Sequence, residues 1–185
     1  TEEIRELYAY DQVPWLIGYS GGKDSTAIVQ LVWLALKDLP LKQRQKTIHV
    51  ISTDTLVENP IVAAWVNRSL DVMRATAEKQ QMPIVPHRLT PETADTFWVN
   101  LIGRGYPAPR NKFRWCTERL KIKPSNTFIR NVVRDNGAAV LVLGTRRAES
   151  SARAHNMNQH SAQSLYVDRL TPNSSLPNSM VYAPI

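Results

Sequence analysis

The sequence predicts an α/β fold: a doubly wound, mostly parallel sheet with helices on both of its faces, in the Rossmann-like manner. Short apolar runs alternate with longer segments of helical periodicity along most of the chain, and this alternation is typical of parallel sheets. One run, residues 138–143, is apolar throughout, as expected of a central strand that is buried on both faces. The carboxyl ends of parallel strands meet at one edge of the sheet, so we expect the ligand site there.

The predicted elements follow one another in this alternating order. They are a helix over 1–10, a strand over 15–19, a helix over 24–38, a strand over 47–53, a helix from 60 to about 80, a strand over 84–89, a helix over 90–102, a helix over 125–136 and a strand over 138–143. Asn59 and Pro60 suit the start of the third helix, and Gly103 and Gly137 suit helix ends.

From residue 150 onward, Ser, Asn, Gln and Pro dominate the sequence, which predicts a long loop. We therefore expect a single domain over 1–185 with a loop-rich tail over 150–185. We also expect this domain to be a fragment of a longer protein.

Composition limits the class of protein. The chain has 185 residues, of which 43% are apolar, enough for one globular domain with a core of its own. No run of about 18 apolar residues occurs, so the sequence predicts no membrane span. Cys116 is the single cysteine, which excludes a disulfide within the chain and suits a reducing compartment. We expect a cytoplasmic protein that does not act at a membrane.

Residues 20–25 carry the strongest functional signal. The segment Ser-Gly-Gly-Lys-Asp-Ser lies between a predicted strand and a predicted helix, and a glycine turn that opens a helix directs backbone amides at a phosphate. Its register excludes a Walker A loop, because Ile17 stands where the first glycine should be and Asp24 follows the lysine in place of a hydroxyl. The predicted nucleotide contacts are Ser20, Gly21, Gly22, Lys23, Asp24 and Ser25, and the last three are also predicted to be catalytic.

Two other strand ends should meet this loop at the same edge of the sheet. An acid after the second strand can contact a ribose hydroxyl or a metal, although Asp is also common as a turn cap. Arginines after the strand over 138–143 can bind phosphate in a bidentate manner. The contacts predicted here are Thr53, Asp54, Gly144, Arg146, Arg147 and Glu149. Arg146 is also predicted to be catalytic, and Asp24 and Asp54 are the carboxylates expected to hold Mg²⁺.

The positive charge of the chain is concentrated between residues 104 and 123. This stretch has seven cationic residues and one acid, Glu118, which indicates either a polyanion partner or a solvated surface. The predicted nucleic-acid contacts are Arg104, Arg110, Lys112, Arg114, Arg119 and Lys121. Cys116 lies among these cations, which favour a reactive thiolate, and we predict a catalytic role for it. The alternative is a small buried side chain.

Segment 20–25 resembles the signature of the PP-loop pyrophosphatases. That family splits ATP between its α- and β-phosphates and uses AMP to activate an oxygen. Residues 144–150 and 112–124 resemble motifs of the branch that reduces phosphoadenosine phosphosulfate (PAPS). Over residues 8–185 the chain resembles the DndC family of DNA sulfur modification proteins, to which the SspD proteins are related. The stretches that carry this resemblance are 15–25, 51–60, 97–109, 114–124, 144–153 and 172–179.

The resemblance implies an ATP pyrophosphatase that activates a DNA phosphate oxygen for replacement by sulfur, with ATP and Mg²⁺ as cofactors. The implied partners are DNA, a cysteine desulfurase and other Dnd-type proteins. The family also implies an iron–sulfur cluster, whose other cysteines would lie outside this chain segment. Three alternatives stay open: a PAPS-type sulfonucleotide reductase, a tRNA-thiolating PP-loop enzyme, and a non-catalytic nucleotide- or DNA-binding module. The acceptor, whether duplex DNA, single-stranded DNA or RNA, stays open too.

Overall fold

A computed structural model describes residues 1–144, 170–173 and 176–184. The helices are α1 (Glu2–Tyr10), α2 (Lys23–Lys37), α3 (Pro60–Lys79), α4 (Trp115–Thr117) and α5 (Lys123–Asn136). The strands are β1 (Trp15–Gly18), β2 (Ile48–Thr53), β3 (Ile84–Leu89), β4 (Ala139–Val142), β5 (Leu170–Pro172) and β6 (Ser179–Tyr182).

The described strands form one sheet in the order β3-β2-β1-β4-β6-β5. All neighbouring strands are parallel except β5, which runs antiparallel to β6 at the edge. β1 lies between β2 and β4, so the chain winds outward from β1 in both directions. This confirms the predicted doubly wound α/β fold.

The sheet separates two hydrophobic layers. On one face, Ile17 of β1 packs with Val32 of α2 and Leu70 of α3, and α1 adds to the same cluster. On the other face, Leu16 packs with Ile129 of α5. Successive residues of a strand point to opposite faces, so β1 contributes to both layers and helices cover both sides of the sheet.

The predicted helix over 90–102 is correct only in its second half, because residues 97–103 are helical but the helix is interrupted before them. The structure has a 3₁₀ turn at Thr93–Asp95, an extended residue at Thr96 and a π-helical turn at Val99–Gly103. The local reason is Asp95, whose buried carboxylate forms ion pairs with Arg119 and Lys123. A continuous helix would compete with these contacts, which lie far away in the sequence.

The predicted helix over 125–136 begins earlier than expected. α4 starts at Trp115, and a π-helical turn at Glu118–Ile122 joins it to α5. Pro124 has no amide hydrogen to donate to the preceding turn, and the amide of Lys123 donates to Glu118 five residues back. The helix therefore continues through the proline by widening locally.

The loop predicted over 150–185 is wrong for β5 and β6. β6 pairs with β4, and the ring of Tyr182 lies 5.9 Å from that of Trp15. Both strands are very short, and pairing stabilises them more than local sequence does: β6 pairs with β4, and β5 pairs with β6. Across the described residues, none of the helices combines the length and apolar character that crossing a lipid bilayer requires.

Two histidines on neighbouring strands form a hydrogen-bonded pair beneath α5. His49 Nδ1 lies 3.0 Å from His87 Nε2, and both rings contact Phe128. One nitrogen must accept while the other donates, so this hydrogen bond is lost when both rings are fully protonated. Burial lowers the pKa of both histidines, and for His87 the charges of His49 and Arg74 lower it further.

This pair makes stability depend on pH. Below the usual histidine pKa, these two histidines bind protons in the unfolded chain but stay neutral in the folded protein. The free energy of unfolding should therefore fall as pH falls from about 7 to 5. Urea unfolding at each pH measures this. His87→Gln should flatten the dependence, and its stability at pH 8 gives the cost of the substitution itself. An unchanged slope in the variant would contradict the assignment.

Candidate nucleotide-binding site

The loop between β1 and α2 closes on itself through its two serines. The amide of Ser20 donates to Ser25 Oγ at 3.2 Å, and Ser25 Oγ donates to the carbonyl of Gly22 at 3.0 Å. Gly22 is the N-cap of α2, and among the described residues no side chain caps the helix there. The amides in the first turn of α2 therefore donate to no capping side chain. Amides left open at a helix start in this way can bind phosphate.

Two glycines allow close packing around this loop. Gly21 has φ +73°, and a Cβ there would lie 2.8 Å from Val66 Cγ2 of α3. Gly144, just after β4, sits so close to α2 that a Cβ would lie 3.1 Å from the carbonyl oxygen of Asp24. The structure therefore brings the end of β4 against the first turn of the loop helix.

A cleft of about 530 Å³ opens beside the loop at the carboxyl edge of the sheet. Its lining includes Gly18 and Ser20 at and just after the end of β1, Thr53 and Asp54 at and just after the end of β2, and Ser125 on α5. Thr53 Oγ1 and Ser125 Oγ lie 3.0 Å apart, so a hydrogen bond joins the two walls. The volume is within the usual range for a small-molecule site.

Asp54 has both carboxylate oxygens engaged. Oδ1 accepts from the amide of Leu56 at 2.8 Å, and Oδ2 accepts from Arg88 Nε at 3.1 Å. Burial alone would raise the pKa of Asp54, but the Leu56 amide and the Arg88 guanidinium together hold it below its usual value. This is the turn-capping arrangement that the sequence left open, and it leaves Asp54 poorly placed to hold Mg²⁺.

A family model for the phosphoadenosine phosphosulfate reductase domain matches residues 14–172. The chain belongs to this family. It is also 27% identical over 157 residues to an uncharacterised protein of Methanocaldococcus jannaschii; the match covers 85% of this chain and 28% of that protein.

The reductase-family fold is also visible in a solved structure. The crystal structure of PAPS reductase from Candida auris, in complex with phosphate, matches with a TM-score of 0.51 and 12% identity, covering 100% of this chain and 71% of that one. Family membership makes the chain a nucleotide-using domain of the PP-loop type.

The basic segment of this reductase-family domain divides into two groups. Arg119 and Lys123 neutralise the buried Asp95, and Arg119 also donates to the Tyr106 hydroxyl at 2.8 Å. The pKa of Asp95 is lowered, chiefly by the hydrogen bond from Lys123 and then by the one from Arg119. These hydrogen bonds outweigh burial, which alone would raise the pKa. We predicted that Arg119 contacts nucleic acid, but in the structure its guanidinium contacts Asp95 and Tyr106 within the protein.

The other predicted nucleic-acid residues lie at the surface. Lys121 lines the cleft and pairs with Glu58 at 3.2 Å. The remaining four are exposed and form no ion pair with any other described residue. They are Arg104, Arg110, Lys112 and Arg114.

Cys116 is a free, half-buried thiol within α4. It is the single cysteine of the sequence, and the described residues contain no group of three His, Cys, Asp or Glu side chains able to hold a metal ion. The residues present therefore do not fit an iron–sulfur cluster, which needs about four such ligands. Arg146, Arg147 and Glu149 lie outside the described residues, so their predicted roles stay predictions.

The structure adds polar groups to the cleft that the sequence reasoning missed. They are Glu58, Asn67, Arg88, Ser125 and Asn126. Arg88 lies at the carboxyl end of β3, and the edge rule that selected Asp54 would have selected it as well. Asn67, Ser125 and Asn126 lie on helices and Glu58 lies just before α3, and no comparable sequence signal marks these positions.

The Gly21 contact gives a test of the loop. Gly21→Ala should weaken adenine-nucleotide binding about tenfold or more, because the new methyl group would displace the loop or α3. Titration calorimetry measures the affinity. Gly137→Ala is the matched control, since it has φ +81° and no described atom within 4 Å of the added Cβ. Adding Val66→Ala to Gly21→Ala should restore part of the affinity. Equal loss in both single variants would contradict a role for the Val66 contact.

Proposed function

We propose that this chain is an ATP pyrophosphatase domain that activates a DNA phosphate oxygen for replacement by sulfur, in the manner of the DndC proteins that it resembles. The observation that carries the proposal is the Ser20–Ser25 loop, which opens α2 without a side-chain cap and contributes Ser20 to the lining of a cleft large enough for a nucleoside. The family model supports a nucleotide-using site of this type.

ATP would lie with its adenosine in the cleft and its β- and γ-phosphates against the loop. The amides of Gly22 and the first turn of α2, together with Lys23, then stabilise the negative charge on the departing pyrophosphate. Asp24 and Ser25 position the phosphates, and Arg146 is assigned to the α-phosphate. Catalysis at such sites is mainly positioning and charge stabilisation.

The reaction has two displacements. An oxygen of the DNA phosphate attacks the α-phosphorus of ATP, the new P–O bond forms, and pyrophosphate leaves with its bridging oxygen. A cysteine desulfurase partner supplies sulfur as a persulfide, and a thiol reductant releases it as hydrosulfide, which then attacks the DNA phosphorus. The P–S bond forms and AMP leaves with the original phosphate oxygen.

The residues of this chain suit Mg²⁺ but not an iron–sulfur cluster. Mg²⁺ usually binds one or two carboxylates together with substrate phosphates, and Asp24 lies in the first turn of α2, where the phosphates are proposed to bind. Mg²⁺ would supply additional positive charge at the phosphates. Because Cys116 is a single thiol, no step is assigned to an iron–sulfur cluster.

A second candidate is sulfonucleotide reduction, favoured by the family model for the reductase domain. The products separate the two functions. A pyrophosphatase releases AMP and pyrophosphate from ATP, whereas a reductase leaves ATP intact and releases sulfite from PAPS in the presence of a thiol reductant. Purified protein is incubated with ATP or with PAPS, in each case with DNA, hydrosulfide and a thiol reductant. It should release AMP and pyrophosphate from ATP and no sulfite from PAPS. ADP, or sulfite from PAPS, would refute the proposal.

Substitutions in the loop test its role in that reaction. Ser25→Ala and Asp24→Ala should each lower AMP release roughly tenfold or more, since one loses the hydroxyl that closes the loop and the other a carboxylate beside the phosphates. Ser69→Ala and Asp71→Ala, on the outer part of α3, are matched controls and should retain activity. Full activity in both loop variants would remove these residues from the site.

A further inference from the structure

We propose that an exposed aromatic and cationic surface beside the cleft binds single-stranded nucleic acid by stacking an unpaired base on Trp98. We call it the Trp98 surface. It consists of Trp98, Ile102 and Phe113 together with Arg104, Arg110, Lys112 and Arg114. The inference rests on the proposed function only in taking DNA as the natural acceptor.

The helical segment around residues 97–103 exposes apolar side chains and buries a polar one, which is the reverse of an ordinary surface helix. Trp98 is 58% exposed and Ile102 is 75% exposed, whereas Asn100 is fully buried. Asn100 is held there by its amide group, which donates to the carbonyl of Thr96 at 2.8 Å. Trp98 and Ile102 lie four residues apart, which places them on one face of the segment. Apolar side chains presented outward over a buried polar one indicate a contact surface.

The exposed tryptophan is held by a chain of aromatic contacts. Its ring meets Phe97 edge-on at 5.2 Å, and Phe97 stacks on Trp115 at 5.4 Å. Trp115 is buried, and its Nε1 donates to the carbonyl of Pro107 at 2.9 Å. Tyr106 packs against the other side of Trp115. A platform fixed in this way loses little conformational entropy on binding.

The charge around the platform identifies the class of partner. Residues 96–117 include four cations and no Asp or Glu, and Asp95 just before them is neutralised internally by Arg119 and Lys123. A partner must therefore be anionic and also offer flat apolar faces. Single-stranded nucleic acid meets both conditions, because its bases are free to stack on aromatic side chains. In a duplex the base faces are already stacked on one another.

The same helix connects this surface with the nucleotide cleft. Within the π-helical turn at Glu118–Ile122, Arg119 reaches the Tyr106 hydroxyl on the aromatic side. Lys121 and Ile122 line the cleft on the other side. One helical turn therefore contributes both to the aromatic cluster beneath the Trp98 surface and to the lining of the cleft.

Fluorescence anisotropy with a labelled oligothymidylate, alone or annealed to its complement, tests this inference without ATP. We expect tighter binding to the single strand, and a loss of about tenfold in that affinity for Trp98→Ala. Trp98→Phe should retain most of the affinity because it keeps an aromatic face. Tyr10→Ala removes another aromatic side chain, 64% exposed at the end of α1, and should bind as the unmodified protein does. Thermal unfolding of each variant checks that it is folded.

The salt dependence gives a second readout. Arg110→Ala should reduce the slope of log affinity against log salt by about 0.7 for a single strand, whereas Trp98→Ala should leave the slope unchanged. Equal binding of single strand and duplex, or an unaffected Trp98→Ala, would overturn the inference. So would self-association or protein binding through this surface with no affinity for nucleic acid.

The two proposals fail separately. Binding that depends on Trp98 in a protein that releases no AMP from ATP would refute the pyrophosphatase and leave the Trp98 surface standing. Release of AMP without such binding would refute the Trp98 surface alone.

Discussion

The parallel pairing of β1 with both β2 and β4 is the constraint on which the site depends. It forces the loop after β1 and the ends of β2 and β4 to meet at one edge of the sheet. The contact between Gly144 and the first turn of α2 is a direct result, and no side chain larger than hydrogen fits there without displacement. The phosphate loop is thus supported by backbone packing from a strand that lies more than a hundred residues away.

The walls of the cleft come from different layers of the fold, and polar contacts join them. Thr53 on β2 meets Ser125 on α5, and Lys121 reaches across to Glu58 near the start of α3. Arg88 on β3 holds Asp54 at the end of β2. These contacts are partly exposed, so each contributes little to stability. Together they join β2, β3, the chain before α3 and the helix that contains Lys121 and Ser125 around the cleft.

The sequence predicted what depends on local pattern and missed what depends on distant partners. The alternation of apolar runs gave the sheet and its helices, and the glycines of 20–25 gave the loop, because both signals lie within a short stretch of chain. The first half of the helix expected over 90–102 is missing because Asp95 turns inward to Arg119 and Lys123, a contact that no local pattern reports. β6 was missed for the same reason, since its pairing with β4 stabilises it.

The basic segment shows why a count of charges is insufficient. Arg119 and Lys123 serve the interior through Asp95, whereas the cations of residues 104–114 have no acidic neighbour in the sequence around them. Arg119 and Lys123 lie on the helix whose π-helical turn precedes Pro124, whereas the cations of residues 104–114 lie in the chain before α4. That turn lets Arg119 face the aromatic cluster while Lys121 faces the cleft. A phosphate loop can serve many nucleotide reactions, so the loop by itself does not specify an acceptor. The acceptor must be selected by residues outside the loop, and this is the role that we propose for the Trp98 surface.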